Sequence, residues 1–330
     1  MLGRRIFSLT CMLFAVSAVG VATAGEARVR TVASESATIF LTEIQNVQPG
    51  EGCEYFHLHK YGRCKTKVRA RLLRVFKGEY DREKVPAEFE VEIQQTIITS
   101  AISPWSDSNI QAGQRYLILT AARQVLPSVF ASTVGPLLVT DQEDMVGDLE
   151  LILNTESLTQ HQQASAVAAA ISASGTPHSY FLAHYAAGLL AAGSDADTLA
   201  LARAVEESTD HAFSHDAKVA LLGMLWDQSK SATKAPENLL KTYFFMTTRY
   251  FLLPPDAPNP GRPSLREEIL SRAIPWLVGS EQAKALMRTA LPPALRQQLR
   301  TQAVALAADE RQRPERRQLM KELLPLIGPN

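Results

Sequence analysis

One stretch decides the fold of the first half of the chain: residues 64–78, Cys-Lys-Thr-Lys-Val-Arg-Ala-Arg-Leu-Leu-Arg-Val-Phe-Lys-Gly. Cationic and uncharged side chains alternate along this stretch with the two-residue period of a β-strand. One face carries Lys65, Lys67, Arg69 and Arg71, and the other carries Thr66, Val68, Ala70 and Leu72. At Leu72 and Leu73 the alternation slips by one residue, which predicts a β-bulge in a strand that bends.

A second stretch, residues 88–94, complements the first. Its charged face carries Glu88, Glu90 and Glu92, and its apolar face carries Phe89, Val91 and Ile93. Antiparallel pairing would place cations across from glutamates, and each such pair contributes roughly 0.2–1 kcal/mol. The charges would also hold the register, since a one-residue slip would bury them.

Two interpretations of the cationic face follow from this match. The glutamates neutralise it as a solvated surface, which the cross-strand pattern favours, or it binds an anionic glycan, lipid headgroup or phosphate. In the second case the ligand face consists of Lys65, Lys67, Arg69 and Arg71.

Three further strands are predicted, at residues 37–47, 115–120 and 130–139. The run from Tyr116 to Leu119 is apolar throughout, which is typical of a strand buried on both faces. A helix capped by Asp141 and running to about Leu153 is expected next.

From about residue 155 the strand signals end and helical periodicity takes over. Nine helices are predicted, at residues 158–173, 179–192, 196–208, 215–229, 236–252, 265–277, 281–291, 294–309 and 315–326. Their regular starts favour antiparallel helix pairs stacked in a solenoid. A compact, irregular helical domain is the alternative, because the sequence shows no clear self-similarity.

The composition is that of a globular protein with balanced charge. The 330 residues include 34 Lys and Arg against 34 Asp and Glu. The length predicts about two domains, and the lack of a basic excess argues against a nucleic-acid partner. The sequence has no serine-hydrolase elbow, phosphate-binding loop or dinucleotide fingerprint, so we assign no cofactor and no catalytic residue.

Residues 1–24 are predicted to be an export signal. Two arginines precede an apolar run at residues 6–21, and small residues at 22–24 provide a cleavage site. The mature chain would start at Gly25 with 32 basic against 34 acidic residues, a net charge of −2. An uncleaved anchor is the alternative, since the run approaches the roughly 20 residues that span a bilayer. We expect a periplasmic or secreted protein without stable membrane insertion after cleavage, exported by the Sec or the twin-arginine route.

The mature chain contains two cysteines, Cys53 and Cys64. In an oxidising compartment such a pair predicts a disulfide, which for a loop of this length stabilises by about 3 kcal/mol. Zinc binding by these cysteines with His57 and His59 is the alternative, because thiolate and imidazole are good zinc ligands.

Histidines in the helical half have simpler explanations. His211 and His215 are four residues apart, but no Glu between them completes a metallopeptidase motif. Ser214 is instead expected to cap the helix that starts near His215. His178 and His184 are expected at helix-packing or rim positions.

The first half resembles the TIMP-like (netrin-module) family. The resemblance is carried by residues 37–47, 70–78, 89–93 and 110–119 in that order, followed by a helical segment at residues 139–153. It implies an OB-fold barrel with a closing helix over about residues 25–154. In that fold, loop aromatics at one end of the barrel can bind partners; here they would be Tyr55, Phe56, Tyr61 and Trp105. Residues 155–330 resemble no known family, and their helical periodicity predicts an all-α domain.

The chain also departs from that family. Its inhibitor members use an N-terminal cysteine to chelate a protease's zinc, whereas the expected mature start here is Gly25. We therefore expect an α+β protein that acts as an exported, non-catalytic interaction module, with another protein as its partner. The alternatives are a modulator of an extracellular protease, and an exported enzyme or metal-binding protein with its site in the helical half.

Overall fold

The computed structural model describes residues 36–48, 54–56, 61–80, 86–98, 110–120, 125, 137–231, 235–252 and 265–328. Within these ranges the protein is α+β: an antiparallel sheet of six strands comes first, and helices follow it. The predicted export signal lies outside the described residues. None of the helices in the described ranges is long and apolar enough to cross a bilayer.

The strands are β1 (Thr38–Gln48), β2 (Glu54–Phe56), β3 (Tyr61–Lys77), β4 (Glu88–Ile98), β5 (Arg115–Thr120) and β6 (Leu137–Val139). The predictions for β1, β3, β4 and β5 are confirmed. The strand predicted at residues 130–139 is seen as the three residues of β6, since residues 130–136 lie outside the described ranges.

Strand order makes the sheet a Greek key. β3 pairs with β1 on one edge and β4 on the other, and β5 returns to pair with the free edge of β1. The resulting order β5-β1-β3-β4 is the Greek-key arrangement, and β6 extends it beyond β5. No pairing joins β6 to β4 among the described strands, so the predicted closed barrel is not confirmed.

The bulge predicted in β3 is confirmed. Leu41 lies opposite Arg74 and Thr42 lies opposite Leu72, so Leu73 has no counterpart on β1. Two more register shifts lie on the same β1–β3 ladder. Because each extra residue kinks the bulged strand and increases its twist, the 17-residue β3 can bend around a core.

The sheet has a core on each face at its centre. On one face lie Phe40, Ile44, Val68, Ala70 and Ile118. On the other, Ile39, Leu41, Leu117 and Leu119 pack against Met145, Leu149 and Phe181 from the helices. The prediction that β5 is buried on both faces is therefore confirmed.

Helix α1 (Met145–Thr155) follows the sheet, but the residue that caps it differs from the prediction. The Asp144 carboxylate accepts a hydrogen bond from the backbone N–H of Gly147 at 3.0 Å. Asp141 lies too far before the helix to reach these first amides, and it pairs with Arg115 on β5 at 2.9 Å instead.

All nine predicted helices after α1 are confirmed. They are α2 (Gln160–Ala173), α3 (Tyr180–Ala192), α4 (Asp195–Ala212), α5 (His215–Ser231), α6 (Glu237–Phe251), α7 with α8, α9 (Glu281–Thr289), α10 (Pro293–Ala308) and α11 (Pro314–Ile327). The helix predicted at residues 265–277 consists of α7 (Leu265–Glu268), a π-helical turn (Ile269–Ala273) and α8 (Ile274–Gly279). Pro275 explains the interruption, because proline cannot donate to the preceding turn and its ring crowds that turn.

Helices α1 to α7 form two layers. In one layer α1, α3, α5 and α7 contact each other in sequence, and in the other α2, α4 and α6 do so. This next-but-one packing is the arrangement expected for stacked antiparallel helix pairs. It favours the solenoid-like prediction for the first part of the helical half.

Gly78, directly after β3, combines a left-handed backbone conformation with a close approach to β1. Its φ is +100°, and a Cβ there would overlap the side chain of Thr38, lying 2.8 Å from Cγ2. Gly113 has a similar φ of +87°, but a Cβ added there would have no atom within 4 Å.

We predict that Gly113→Ala lowers the free energy of unfolding by about 1 kcal/mol through backbone strain alone, and that Gly78→Ala lowers it by clearly more. Urea unfolding followed by circular dichroism measures both, and equal losses would contradict the close approach to Thr38.

Candidate functional site

The cationic and anionic strands pair as the sequence predicts. In the β3–β4 ladder Lys67 lies opposite Glu92, Arg69 opposite Glu90 and Arg71 opposite Glu88. The cationic side chains are exposed, whereas Thr66, Val68 and Ala70 between them are buried. The register places the charges in water and the small and apolar residues in the core.

The ion pairs run diagonally across this ladder. Lys65 Nζ lies 3.2 Å from Glu92, and Arg69 Nη2 lies 3.0 Å from Glu88. Long side chains reach the neighbour two residues along the facing strand. Hydrogen bonds from Gln45 and Arg69 lower the pKa of Glu88.

Arg71 turns to the opposite neighbour of β3. Its guanidinium lies 2.5 Å from Glu43 on β1. Three of the four cations thus pair with carboxylates of the sheet. This supports a neutralised surface over an anionic-ligand face.

The predicted loop sites fall mostly outside the described residues. These are Cys53, His57, His59 and Trp105. Tyr55 and Phe56 lie in β2, and Tyr61 and Cys64 lie in the first four residues of β3; the structure does not describe these four side chains. The disulfide, the zinc alternative and the aromatic cluster stay predictions.

Ser214 caps α5 as predicted, and the backbone N–H of Ala217 donates to its hydroxyl at 3.2 Å. Across the described ranges, no group of three or more His, Cys, Asp or Glu side chains is placed to bind a metal.

A buried polar cluster joins α1 to the helical layers. One oxygen of the Asp148 carboxylate lies 2.6 Å from His178 Nδ1. The other accepts from both the backbone N–H of Ser179 at 2.6 Å and the Ser179 hydroxyl at 2.7 Å. All three residues are buried. The carboxylate therefore links α1 to the start of α3 at a single point.

The cluster contains Asp, His and Ser, but its connectivity is not that of a nucleophilic triad. A triad places the imidazole between serine and carboxylate, whereas here Asp148 lies between His178 and Ser179. The Ser179 hydroxyl also accepts from the backbone N–H of Phe181 at 3.3 Å, as an N-cap does. The arrangement holds helices together and leaves no hydroxyl aimed at a substrate.

His178 has an oxygen partner at both ring nitrogens. Nε2 lies 3.2 Å from the carbonyl oxygen of Ala170, on α2. Burial alone would lower the pKa of His178. The hydrogen bond to Asp148 and the charge of that residue raise the pKa, and so do the hydrogen bond to the Ala170 carbonyl and the charge of Asp144. Together these contacts outweigh burial, so the pKa of His178 lies above its usual value. The protonated ring donates to both partners and links α1, α2 and the start of α3.

This cluster predicts a pH-dependent stability. With a folded-state pKa above 6.5, His178 contributes stability that is fully present below about pH 6.5 and is lost as the pH rises through the raised value. Each unit of the shift is worth about 1.4 kcal/mol. We expect the unfolding free energy of the native chain to fall over this interval, as measured by urea unfolding at a series of pH values.

Two variants separate His178 from the other titrating groups. His178→Gln should lack this fall, whereas His161→Gln should keep it, since the His161 side chain is 64% exposed. Parallel profiles for the native chain and His178→Gln would contradict a stabilising role for the protonated ring.

Beside this cluster, a groove of about 260 Å³ runs between α1 and α3. Its floor is apolar and its rim carries aromatic and polar side chains. The residues that shape it include Ile152, Leu153, Tyr180, His184, Tyr185 and Gly188. At one end the Thr155 and Tyr185 hydroxyls lie 3.3 Å apart and join the two helices. We call this groove between α1 and α3 the junction groove.

Gly188 lines the junction groove without a side chain of its own. It lies inside α3, where glycine is less favourable than alanine by about 1 kcal/mol. A Cβ at this position would meet nothing within 4 Å, so no close packing requires a glycine here. The missing side chain leaves the space in the groove open.

Sequence reasoning placed His178 and His184 correctly at packing and rim positions, but it missed Asp148 and Gly188. Asp148 lies among the apolar residues of α1, where an acidic side chain is a signal of a buried partner. Gly188 interrupts an apolar helical run, and such a glycine signals a packing or functional role.

Comparison of the chain with family models, with curated proteins and with solved structures finds no match. The resemblance to the TIMP-like family is therefore a hypothesis that depends on the sequence pattern and the strand order.

Proposed function

We propose that this is an exported, non-catalytic protein that binds another protein of the export compartment through the junction groove. An OB-fold-like sheet and a helical scaffold would hold the two walls of the groove. The occupant would be an apolar segment of the partner, with its apolar side chains in the groove and its backbone along the rim.

The OB-fold interpretation is supported by topology. OB-folds are five-stranded, partly open Greek-key barrels. Here β1, β3, β4, β5 and β6 follow a Greek-key order extended by one strand. Helix α1 packs on one face of the sheet through Met145 and Leu149, and this contact supports a role as the closing helix.

The chemistry of the junction groove supports a protein segment as its occupant. Tyr180, Phe181, His184 and Tyr185 contribute four rings within six residues of α3. Aromatic residues are enriched at the centres of protein interfaces, where charged residues are depleted. The charged residue among those that line the groove is Glu156, which is exposed at the end of α1.

Gly188 is the observation that carries the proposal. An interior helix glycine lowers stability, and no neighbouring atom at this position compensates for that loss. An alanine would stabilise α3, and a large side chain would also fill the groove, so the glycine is explained if the open space is used.

This predicts opposite effects of two substitutions at one position. Gly188→Ala should raise the free energy of unfolding by about 0.5–1 kcal/mol and leave the groove open. Gly188→Phe should also remove the glycine but fill the groove. Peptides selected by phage display on the native protein would be tested by fluorescence anisotropy against both variants. We expect binding to Gly188→Ala to be retained, and binding to Gly188→Phe to weaken at least tenfold.

Circular dichroism and urea unfolding would establish that both variants are folded. Selected peptides are expected to share apolar anchors, since these would occupy the groove. Equal binding to Gly188→Ala and Gly188→Phe would exclude the junction groove as the docking site.

A further inference from the structure

A second cavity lies inside the helical half, away from the junction groove. Its volume is about 290 Å³, and it opens between α4, α6 and the start of α10. Its apolar wall includes Phe245, Met246 and Leu295, and its polar wall includes Glu206, Thr209, Arg249 and Tyr250. We call it the α4–α6 cavity.

Glu206 brings a half-buried carboxylate to this cavity. Its Oε1 accepts a hydrogen bond from Thr242 at 3.3 Å, and the charges of Lys241 and Arg203 act on it from nearby. Burial raises the pKa of Glu206, and Thr242 and Lys241 offset that rise only in part. A carboxylate in this setting favours a cation that restores its charged form.

Arg249 lies beside Glu206 but is engaged elsewhere. Its Nη1 donates to the backbone oxygen of Glu206 at 2.9 Å, and its Nη2 pairs with the Asp210 carboxylate. The guanidinium therefore neutralises Asp210 and leaves the Glu206 side chain to other partners.

Tyr250 adds a buried hydroxyl with hydrogen-bonding capacity to spare. The residue is 2% exposed, and its hydroxyl neighbours the Thr209 side chain without reaching the geometry of a full hydrogen bond. Burial and the charge of Asp210 raise the pKa of Tyr250, while Thr209 and Arg249 lower it only in part. Native proteins rarely leave such a group without a partner.

Thr209 contributes an acceptor at the same place. Its hydroxyl donates its proton to the carbonyl oxygen of Val205, so the oxygen keeps its capacity to accept. The wall of the cavity thus carries three side-chain oxygens that can accept hydrogen bonds, from Glu206, Thr209 and Tyr250.

We propose that the α4–α6 cavity binds a primary ammonium group that carries a short apolar chain. An ammonium has three N–H donors and no acceptor, which matches the three oxygens. Its positive charge balances Glu206, and its apolar chain packs on Phe245, Met246 and Leu295. Such a group is present in free alkylamines and in lysine side chains.

Two features argue for an anion instead. One is the Arg249 guanidinium in the cavity wall, which the Asp210 carboxylate already pairs. The other is the start of α10. The helix begins after Pro292 without a side-chain cap, and a helix N-terminus carries about half a positive charge. Pro293 removes one of the N–H groups that an anion would use. The full negative charge of Glu206 outweighs this partial charge, so a cation is favoured.

Isothermal titration calorimetry at pH 8 tests the proposal with three four-carbon probes of similar size. At this pH n-butylamine is charged, because alkyl ammonium groups have a pKa of about 10; n-butanol is neutral, and butyrate is an anion. We expect n-butylamine alone to bind, at about millimolar affinity given its five heavy atoms. Tighter binding of butyrate or n-butanol, or no binding of n-butylamine, would overturn the proposal.

Matched variants locate the binding. Glu206→Gln should weaken n-butylamine about tenfold or more, since it removes a charge-assisted hydrogen bond. Glu207→Gln makes the same change on the exposed neighbour and should leave affinity unchanged. Tyr250→Phe should weaken binding severalfold. Equal affinity of Glu206→Gln and Glu207→Gln would overturn the proposal, because the amine would then bind elsewhere.

A further probe identifies the source of the ammonium. Nα-acetyl-lysine methylamide presents the lysine side chain with its backbone. Binding comparable to n-butylamine would support a lysine of a protein, and binding of n-butylamine alone would support a free amine. Because neither probe contacts the junction groove, Gly188→Phe should bind both normally, so this site and the proposed docking groove can fail separately.

Discussion

The burial of β1 and β5 on both faces is the constraint on which the rest of the structure depends. A strand that is apolar on both sides needs two covering layers. One face is covered by the curved sheet itself, through Val68, Ala70 and Phe89. The other is covered by α1 and the start of α3, through Met145, Leu149 and Phe181. The sheet thus fixes the position of the two helices that form the junction groove.

The same junction contains the buried Asp148–His178 pair. Charged groups are costly to bury unless they are fully hydrogen-bonded, and here both carboxylate oxygens and both ring nitrogens have partners. Such a cluster accepts only one relative placement of α1, α2 and α3, because each bond has a fixed direction. Hydrophobic packing gives the junction its stability, and the polar cluster gives it a single geometry.

The two cavities differ in what surrounds them. The junction groove has an apolar floor and a rim of aromatic side chains, which suits apolar side chains of a partner. The α4–α6 cavity combines an apolar wall with a carboxylate and two hydroxyls, which suits a small cation. The paired charges on β3 and β4, by contrast, bind each other across the ladder and hold its register.

Local chemistry made much of this fold predictable. The alternation of charge in residues 64–78 and 88–94 predicted both strands and their pairing, and the slip at Leu73 predicted the bulge. Periodicity and capping gave the nine later helices, since these signals lie within a few residues of each other. The predicted capping residue of α1 was wrong by three positions. Asp141 and Asp144 are equally suited to capping as residue types, and the tertiary contact of Asp141 with Arg115 is what distinguishes them.

The sequence by itself determined the elements and their order, because hydrophobic period, caps and turns depend on neighbouring residues. Only the tertiary structure decided which elements meet. It brought Asp148 to His178 across 30 residues, and Glu206 to Thr242 across 36. It also gave Gly188 its open space. Contacts of this kind depend on how helices pack, and no local pattern records the distance between two side chains on different helices.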